Sequence, residues 1–137
     1  MVADWGTVLL ADSHSPMLES LRTLLEQRFK VVVMVADESS LFRAIEKLQP
    51  ECVIVDLSFP CAANQQGGNI VSVLHARGDN LKLIVLSVHD EQSVAQRALE
   101  LGANGFVVKA WAVTELLAAI DAVLVGNHYM SPHLCPS

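Results

Sequence analysis

Five short runs rich in β-branched and other apolar residues recur along the chain, each followed by a segment with apolar residues at helical spacing. The runs are Thr7 to Asp12 (TVLLAD), Lys30 to Ala36 (KVVVMVA), Cys52 to Asp56 (CVIVD), Leu81 to Ser87 (LKLIVLS) and Gly105 to Lys109 (GFVVK). The first two are too apolar throughout to leave one face of a strand in water. Strands of this kind, alternating with helices, specify an α/β fold: a doubly wound five-stranded parallel sheet with helices on both faces.

The intervening segments carry the stripes such helices need. Leu18, Leu21 and Leu25 line the first, and Leu41, Ile45 and Leu48 the second. Ser15 and Pro16 suit a helix start. Gly102, after Ala98 and Leu101, suits a helix stop. The last helix is expected over Val113 to Val125, ending at Gly126. The remaining NHYMSPHLCPS has no periodicity and reads as a linker stub, so the expected division is a domain over 6–126 and a tail over 127–137. The one long loop lies between Leu57 and Gly68.

A chain of 137 residues holds one core of useful size. Its apolar runs fall well short of the about 18 residues that would suggest a membrane span. The N-terminus lacks a basic segment followed by a cleavage site, so a cytoplasmic location is expected. The three cysteines, Cys52, Cys61 and Cys135, match no metal-binding spacing. Cys52 is expected in the core and the other two as unpaired bystanders. With a formal charge of −6 and basic residues scattered, the chain has no electrostatic footprint for nucleic acid.

In an open parallel sheet, functional groups collect at the carboxyl ends of the strands. Here Asp12 closes the first run, Asp56 the third, Ser87 the fourth and Lys109 the fifth. Two carboxylates offer hard oxygen ligands for Mg²⁺. A carboxylate is also a nucleophile toward a phosphoryl group, whose charge a metal and an ammonium would neutralise while a hydroxyl holds one of its oxygens. Taken singly, each residue has a plainer reading: Asp12 or Asp56 as an N-cap, Ser87 as a cap near Asp90, Lys109 as a solvated lysine, Phe106 as core. His14 and His89 fall at the rim of the site and are expected in solvent. Trp5 and Trp111 flank the sheet without a stated role.

The stretches VLLADSH, VIVDLSFP, VLSVHDE and GANGFVVK resemble, in order, the four site motifs of the response-regulator receiver family of two-component systems. The key positions are separated by 44, 31 and 22 residues. The likeness covers about residues 6 to 126, and LLADSHSPMLESLRTLL and NHYMSPHL look most like the NarL/FixJ branch. It implies a flavodoxin-like sheet of strand order 2-1-3-4-5. It also implies Asp56 as phosphoacceptor, Asp12 as an acidic metal-site residue, Lys109 as the phosphate-binding lysine and Ser87 as the switch hydroxyl. Phe106 matches the aromatic that turns with activation. Ser58 matches the position whose backbone carbonyl ligates Mg²⁺, so its side chain is expected to matter little.

The resemblance further implies a phosphoryl donor, either a sensor histidine kinase or a phosphotransfer protein. It implies homodimerisation through helix 4, strand 5 and helix 5, and DNA binding only through a following helix-turn-helix domain. Such a domain assists its own phosphorylation and dephosphorylation without being an enzyme for a separate substrate.

Two departures stand out. The family places a second acidic residue directly after Asp12, where this chain has Ser13; fewer carboxylates should weaken Mg²⁺ binding. The loop after Pro60 runs CAANQQGGN, so that Gly67 and Gly68 come about three residues later than the family's glycine, which offers Asn64 as a substitute ligand or an obstacle to a kinase. These departures motivate a different reading, a pseudo-receiver that acts as a phosphorylation-independent interaction module. A nucleotide- or flavin-dependent enzyme is disfavoured because ADSHSP provides no glycine-rich phosphate cradle.

Overall fold

Alternate side chains of a strand point to opposite faces of the sheet, and in this chain both sets are apolar. A computed structural model describes residues 5–12, 17–60, 70–77, 81–132 and 134–136. Its strands are β1 (Trp5–Ala11), β2 (Phe29–Val35), β3 (Cys52–Asp56), β4 (Leu83–Ser87), β5 (Gly105–Val108) and β6 (Tyr129–Met130). The helices are α1 (Leu18–Leu25), α2 (Glu38–Leu48), α3 (Ile70–His75), α4 (Gln92–Glu100) and α5 (Ala112–Leu124). All strand pairs are parallel, in the order β2-β1-β3-β4-β5-β6.

Val8, Leu10, Cys52, Ile54, Ile84, Leu86 and Val107 pack with Leu21 and Leu25 of α1 and with Leu116, Ile120 and Val123 of α5. Their sequence neighbours Leu9, Ala11, Val53, Val55, Val85 and Phe106 pack on the other face with Leu41, Leu74, Ala95 and Ala98 from α2, α3 and α4. Thus the doubly wound fold follows from period-two alternation within strands that are apolar on both sides; β2, at the sheet edge, departs from the expectation of no wet face, with Val31 45% and Met34 38% exposed. Burial pushes the Cys52 thiol up to about 12, so it is an inert core group as expected.

Local chemistry sets the helix ends. Asp37 accepts a hydrogen bond from the Ser40 amide at 2.8 Å and caps α2, whose other end turns at the left-handed Gln49 before Pro50. Leu48 is 42% exposed and does not join the predicted stripe. As the last residue of α2 it sits where the chain turns away. Gly102, at φ +123°, ends the α4 region as anticipated. The proposed start at Ser15 and Pro16 lies outside the described residues, as do Ser13, His14, Cys61, Asn64, Gly67 and Gly68.

Two boundaries differ from the sequence reading in ways that matter. Lys109 is not the end of β5 but the first residue of a 3₁₀ turn, Lys109–Trp111, that leads into α5. The segment after Gly126 is not a bare stub: Tyr129 and Met130 pair with Gly105 and Phe106 as a sixth strand. Two residues are too short to show a strand period, which is why this pairing was invisible in the sequence. It also covers the outer edge of the strand that lies between α4 and α5. No helix among the described residues is long and apolar enough to cross a membrane.

Candidate functional site

The strand register steps the reactive residues together. Ala11 pairs with Val55, so Asp12 follows beside Asp56; Asp56 pairs with Leu86, so Ser87 follows beside it. Ser87 in turn pairs with Val108, and Lys109 comes next. Each functional side chain therefore sits at, or one residue past, the last pair of its strand, on one edge of the sheet. Asp12 and Asp56 are each 6% exposed and Ser87 is 1% exposed.

Lys109 joins the two acids. Its Nζ donates to Asp12 Oδ2 at 2.9 Å and also to Asp56 Oδ2. Burial alone would raise the Asp56 carboxyl, but hydrogen bonds from Lys109 and Ser58, together with the lysine's charge, outweigh it and hold the group below its ordinary value. Burial likewise opposes the Lys109 charge, and the bonds to Asp56 and Asp12 override it and raise the lysine. Asp56 is thus an anion with an ammonium fixed against one of its oxygens.

Its other oxygen, Oδ1, accepts from the Ser58 amide at 2.8 Å and from the Ser58 hydroxyl at 2.7 Å. The expectation that the Ser58 side chain matters little is therefore corrected: the hydroxyl bonds the acid directly. An Asp-x-Ser step in which the acid turns back on the following backbone was the available signal. Neither Asp56 nor Ser87 caps a helix. Ser87 Oγ accepts the His89 amide at 2.9 Å, and α4 begins only after Glu91.

Asp56, Leu57, Ser58, Ser87, Val88 and His89 line a depression of about 190 Å³. The His89 ring points outward, 3.6 Å from Glu91. Phe106 is fully buried in the core cluster, paired with Val85 two steps back from the Ser87–Val108 pair in the register, not in the depression. The geometry thus brings Asp12, Asp56 and Lys109 into one bonded group. Ser58 and Ser87 line the adjoining cleft, and Phe106 lies behind it.

Among the described residues, Asp12 and Asp56 offer a metal carboxylate oxygens at this edge. Among the described residues no three His, Cys, Asp or Glu side chains are grouped to hold an ion. The Asp12 and Asp56 carboxylates remain, two negative charges against the single ammonium of Lys109. That hard-oxygen set and its surplus negative charge fit Mg²⁺ better than a soft metal.

A doubly wound parallel sheet with two acids and a lysine meeting at its carboxyl edge is the architecture of a receiver domain. The response regulator receiver domain family matches residues 8–121, and the chain belongs to that family. It is 28% identical over 127 residues to the transcriptional regulatory protein DegU of Brevibacillus brevis, covering 91% of this chain and 52% of that protein. A crystal structure of a two-component response regulator of the LuxR family from Aurantimonas sp. SI85-9A1 is similar at 29% identity and TM-score 0.78, covering 92% of this chain and 89% of that one. The isolated receiver domain of RcsB from Salmonella enterica serovar Typhimurium, in the presence of the phosphomimetic BeF3-, has TM-score 0.79 at 27% identity, with 93% of this chain and 94% of that one covered. These relatives agree with the NarL/FixJ branch indicated by the residues. The chain spans about half the length of the curated relatives it matches, 52% of DegU and 57% of the RcsB regulators.

Proposed function

We propose that this receiver domain accepts a phosphoryl group on Asp56 from a phosphohistidine of a sensor kinase or phosphotransfer protein. The carrying observation is the Lys109 ammonium bonded at once to Asp56 and Asp12 on the sheet edge. In the transfer an Asp56 oxygen attacks phosphorus, the phosphorus–nitrogen bond of the donor breaks, and the departing imidazole keeps its electron pair and takes a proton. Lys109 and the Ser58 hydrogen bonds orient the carboxylate and fix which lone pairs remain for attack. Lys109 then faces the added negative charge, which it stabilises through a short contact already in place. Asp12, Asp56 and the Ser58 carbonyl would hold Mg²⁺, which supplies charge neutralisation on the phosphoryl oxygens.

Once Asp56 carries the phosphoryl group as an acyl phosphate, the Ser87 hydroxyl turns from the His89 amide toward the phosphoryl oxygens, and Phe106, already buried behind the site, changes rotamer into the space released. The readout is a changed surface around α4 and β5, offered to a partner or to a second receiver. Sequence-specific DNA binding would belong to a helix-turn-helix domain following this one, and the working compartment would be the cytoplasm.

Ser13 beside Asp12 favours one other reading, a phosphorylation-independent interaction module. Incubation with Mg²⁺ and acetyl phosphate followed by intact-mass measurement separates the two. One added phosphoryl group in the wild type and none in Asp56→Asn supports the acceptor; an unmodified, folded wild type supports the module.

A further inference from the structure

Residues 129–131 lie along the outer edge of β5, and Cys135 lies against the start of α4. Tyr129 donates its amide to the Asn104 carbonyl at 3.0 Å and Ser131 to the Phe106 carbonyl at 2.9 Å. The Ser131 hydroxyl, on a residue only 3% exposed, donates to Glu115 Oε1 of α5 at 2.7 Å, and the Tyr129 hydroxyl reaches the same oxygen at 3.3 Å. This end of the segment is therefore anchored to two elements. Its other end rests on α4: the Cys135 amide donates to the Asp90 carbonyl at 2.6 Å, and the Gln92 amide donates to the Cys135 carbonyl at 2.8 Å. The Cys135 thiol reaches Asp90 Oδ2 at 3.4 Å. Cys135 is unpaired, as expected, but these bonds correct the expectation that it is a bystander.

Asp90 is close in the chain to Ser87, and the loop between them is bonded at both ends. At its start the His89 amide donates to Ser87 Oγ at 2.9 Å, and at its end Asp90 and Gln92 hold Cys135. Val88 between them is 74% exposed, so little packing fixes the loop's shape. Met130 and Leu134 lie against the apolar cluster that contains Phe106.

We propose that residues 129–132 and 134–135 act as a strap whose far end, the Cys135 latch on Asp90 and Gln92, opens when the Ser87 hydroxyl leaves the His89 amide. Losing that acceptor releases the start of the loop, whose other end carries the Asp90 carbonyl. Cys135 is prevented from following, because Ser131 and Tyr129 remain fixed to Glu115 and to β5. While closed, the latch ties Cys135 to the start of α4 and keeps Leu134 against the cluster that contains Phe106; open, it releases that contact. The strap is an autoinhibitory contact that reads the position of one side chain in the site. Its opening by phosphorylation rests on the role of Asp56 proposed above; the coupling to Ser87 does not.

Residue-resolved amide exchange by NMR on the full chain tests this in both directions. Ser87→Ala should speed exchange of the Cys135 amide by roughly two- to tenfold, the effect of one lost hydrogen bond on a local opening equilibrium, while Ser131 stays as slow as in wild type. Reciprocally, Cys135→Pro, which removes the latch donor, should speed exchange at His89. A folded Ser87→Ala protein with Cys135 exchange unchanged, or a folded Cys135→Pro protein with His89 unchanged, overturns the proposal. In wild type treated with Mg²⁺ and acetyl phosphate, the phosphorylated fraction should show the same acceleration at Cys135, and its absence there also overturns the strap. A chain that takes no phosphoryl group counts against the function of Asp56, and the two variants still decide the strap.

Discussion

Lys109 Nζ lies 2.9 Å from Asp12 Oδ2 although 97 positions separate them in the chain, and the same nitrogen bonds Asp56. The Lys109 side chain is 13% exposed and the two acids less, so the group is largely but not fully withdrawn from water. Replacing Lys109 by Met would leave two buried carboxylates facing each other. Removing one partner of a buried ion pair costs roughly 3–5 kcal/mol, an upper bound here because the edge is open to water. Urea unfolding should show the loss, and NMR titration of the Asp56 carboxyl should show its pKa rising toward and past the ordinary carboxylate value.

The same shifts fix the pH dependence. Asp56 is held below its ordinary value, so its contribution to stability is complete above about pH 4 and is lost as the pH falls through the depressed folded value. Lys109 is raised, so its contribution is complete below its ordinary value near pH 10 and is lost as the pH climbs through the folded value. Urea melts across the acid range should show a downward limb that Asp56→Asn flattens. A limb of equal depth in the variant would assign it to other carboxylates.

Ser58→Ala removes one of two hydrogen bonds to Asp56 Oδ1 and keeps the backbone one. A net cost of about 0.5–1.5 kcal/mol is expected, with the Asp56 pKa moving upward but staying below its ordinary value. Carboxyl titration by NMR reads the shift directly. No movement of Asp56 would show that the hydroxyl contributes nothing.

Gly102 adopts φ +123°, and a Cβ there would lie 2.4 Å from the His75 ring at the end of α3. Gly102→Ala should therefore destabilise by roughly 1–3 kcal/mol, from backbone strain plus the clash. Thermal unfolding of Gly102→Ala, alone and with His75→Ala, separates the ring clash from the rest: the second change should recover the part due to the ring, while the 2.8 Å approach to the residue 75 Cβ and the backbone strain remain.

Legibility of the molecule varied with the kind of signal. The strands were readable because Val8 through Leu10 and Cys52 through Val55 are apolar on both faces, a pattern few other folds demand. Asp12, Asp56, Ser87 and Lys109 were readable because a parallel register carries strand ends to one edge. What escaped was carried by contacts without periodicity. Tyr129 and Met130 form a two-residue strand, and the Ser131 hydroxyl finds Glu115 sixteen residues back in the chain. Ser58 was assigned only a backbone role because the resemblance directed attention to its carbonyl, whereas its hydroxyl closes a local turn onto Asp56. Leu48 has the right spacing for a buried stripe, yet it stands at a helix end, where spacing alone does not ensure a partner.

Ser13 offers a test of the metal expectation from the sequence side. Ser13→Asp would add a carboxylate next to Asp12 in the chain and raise the negative charge available to Mg²⁺. Half-saturation, followed by tryptophan fluorescence, should fall several-fold relative to wild type. An unchanged midpoint would mean that charge at this position does not limit binding.

The acceptor role of Asp56 is tested most directly by locating the phosphoryl bond itself. Protein treated with Mg²⁺ and acetyl phosphate is reduced with borohydride, which attacks an acyl phosphate, and the modified peptide is mapped by mass. The modification is expected at Asp56 in the wild type, at a much lower level in Lys109→Met and absent from Asp56→Asn. Modification mapped to another residue, or folded wild type left unmodified, would contradict the account.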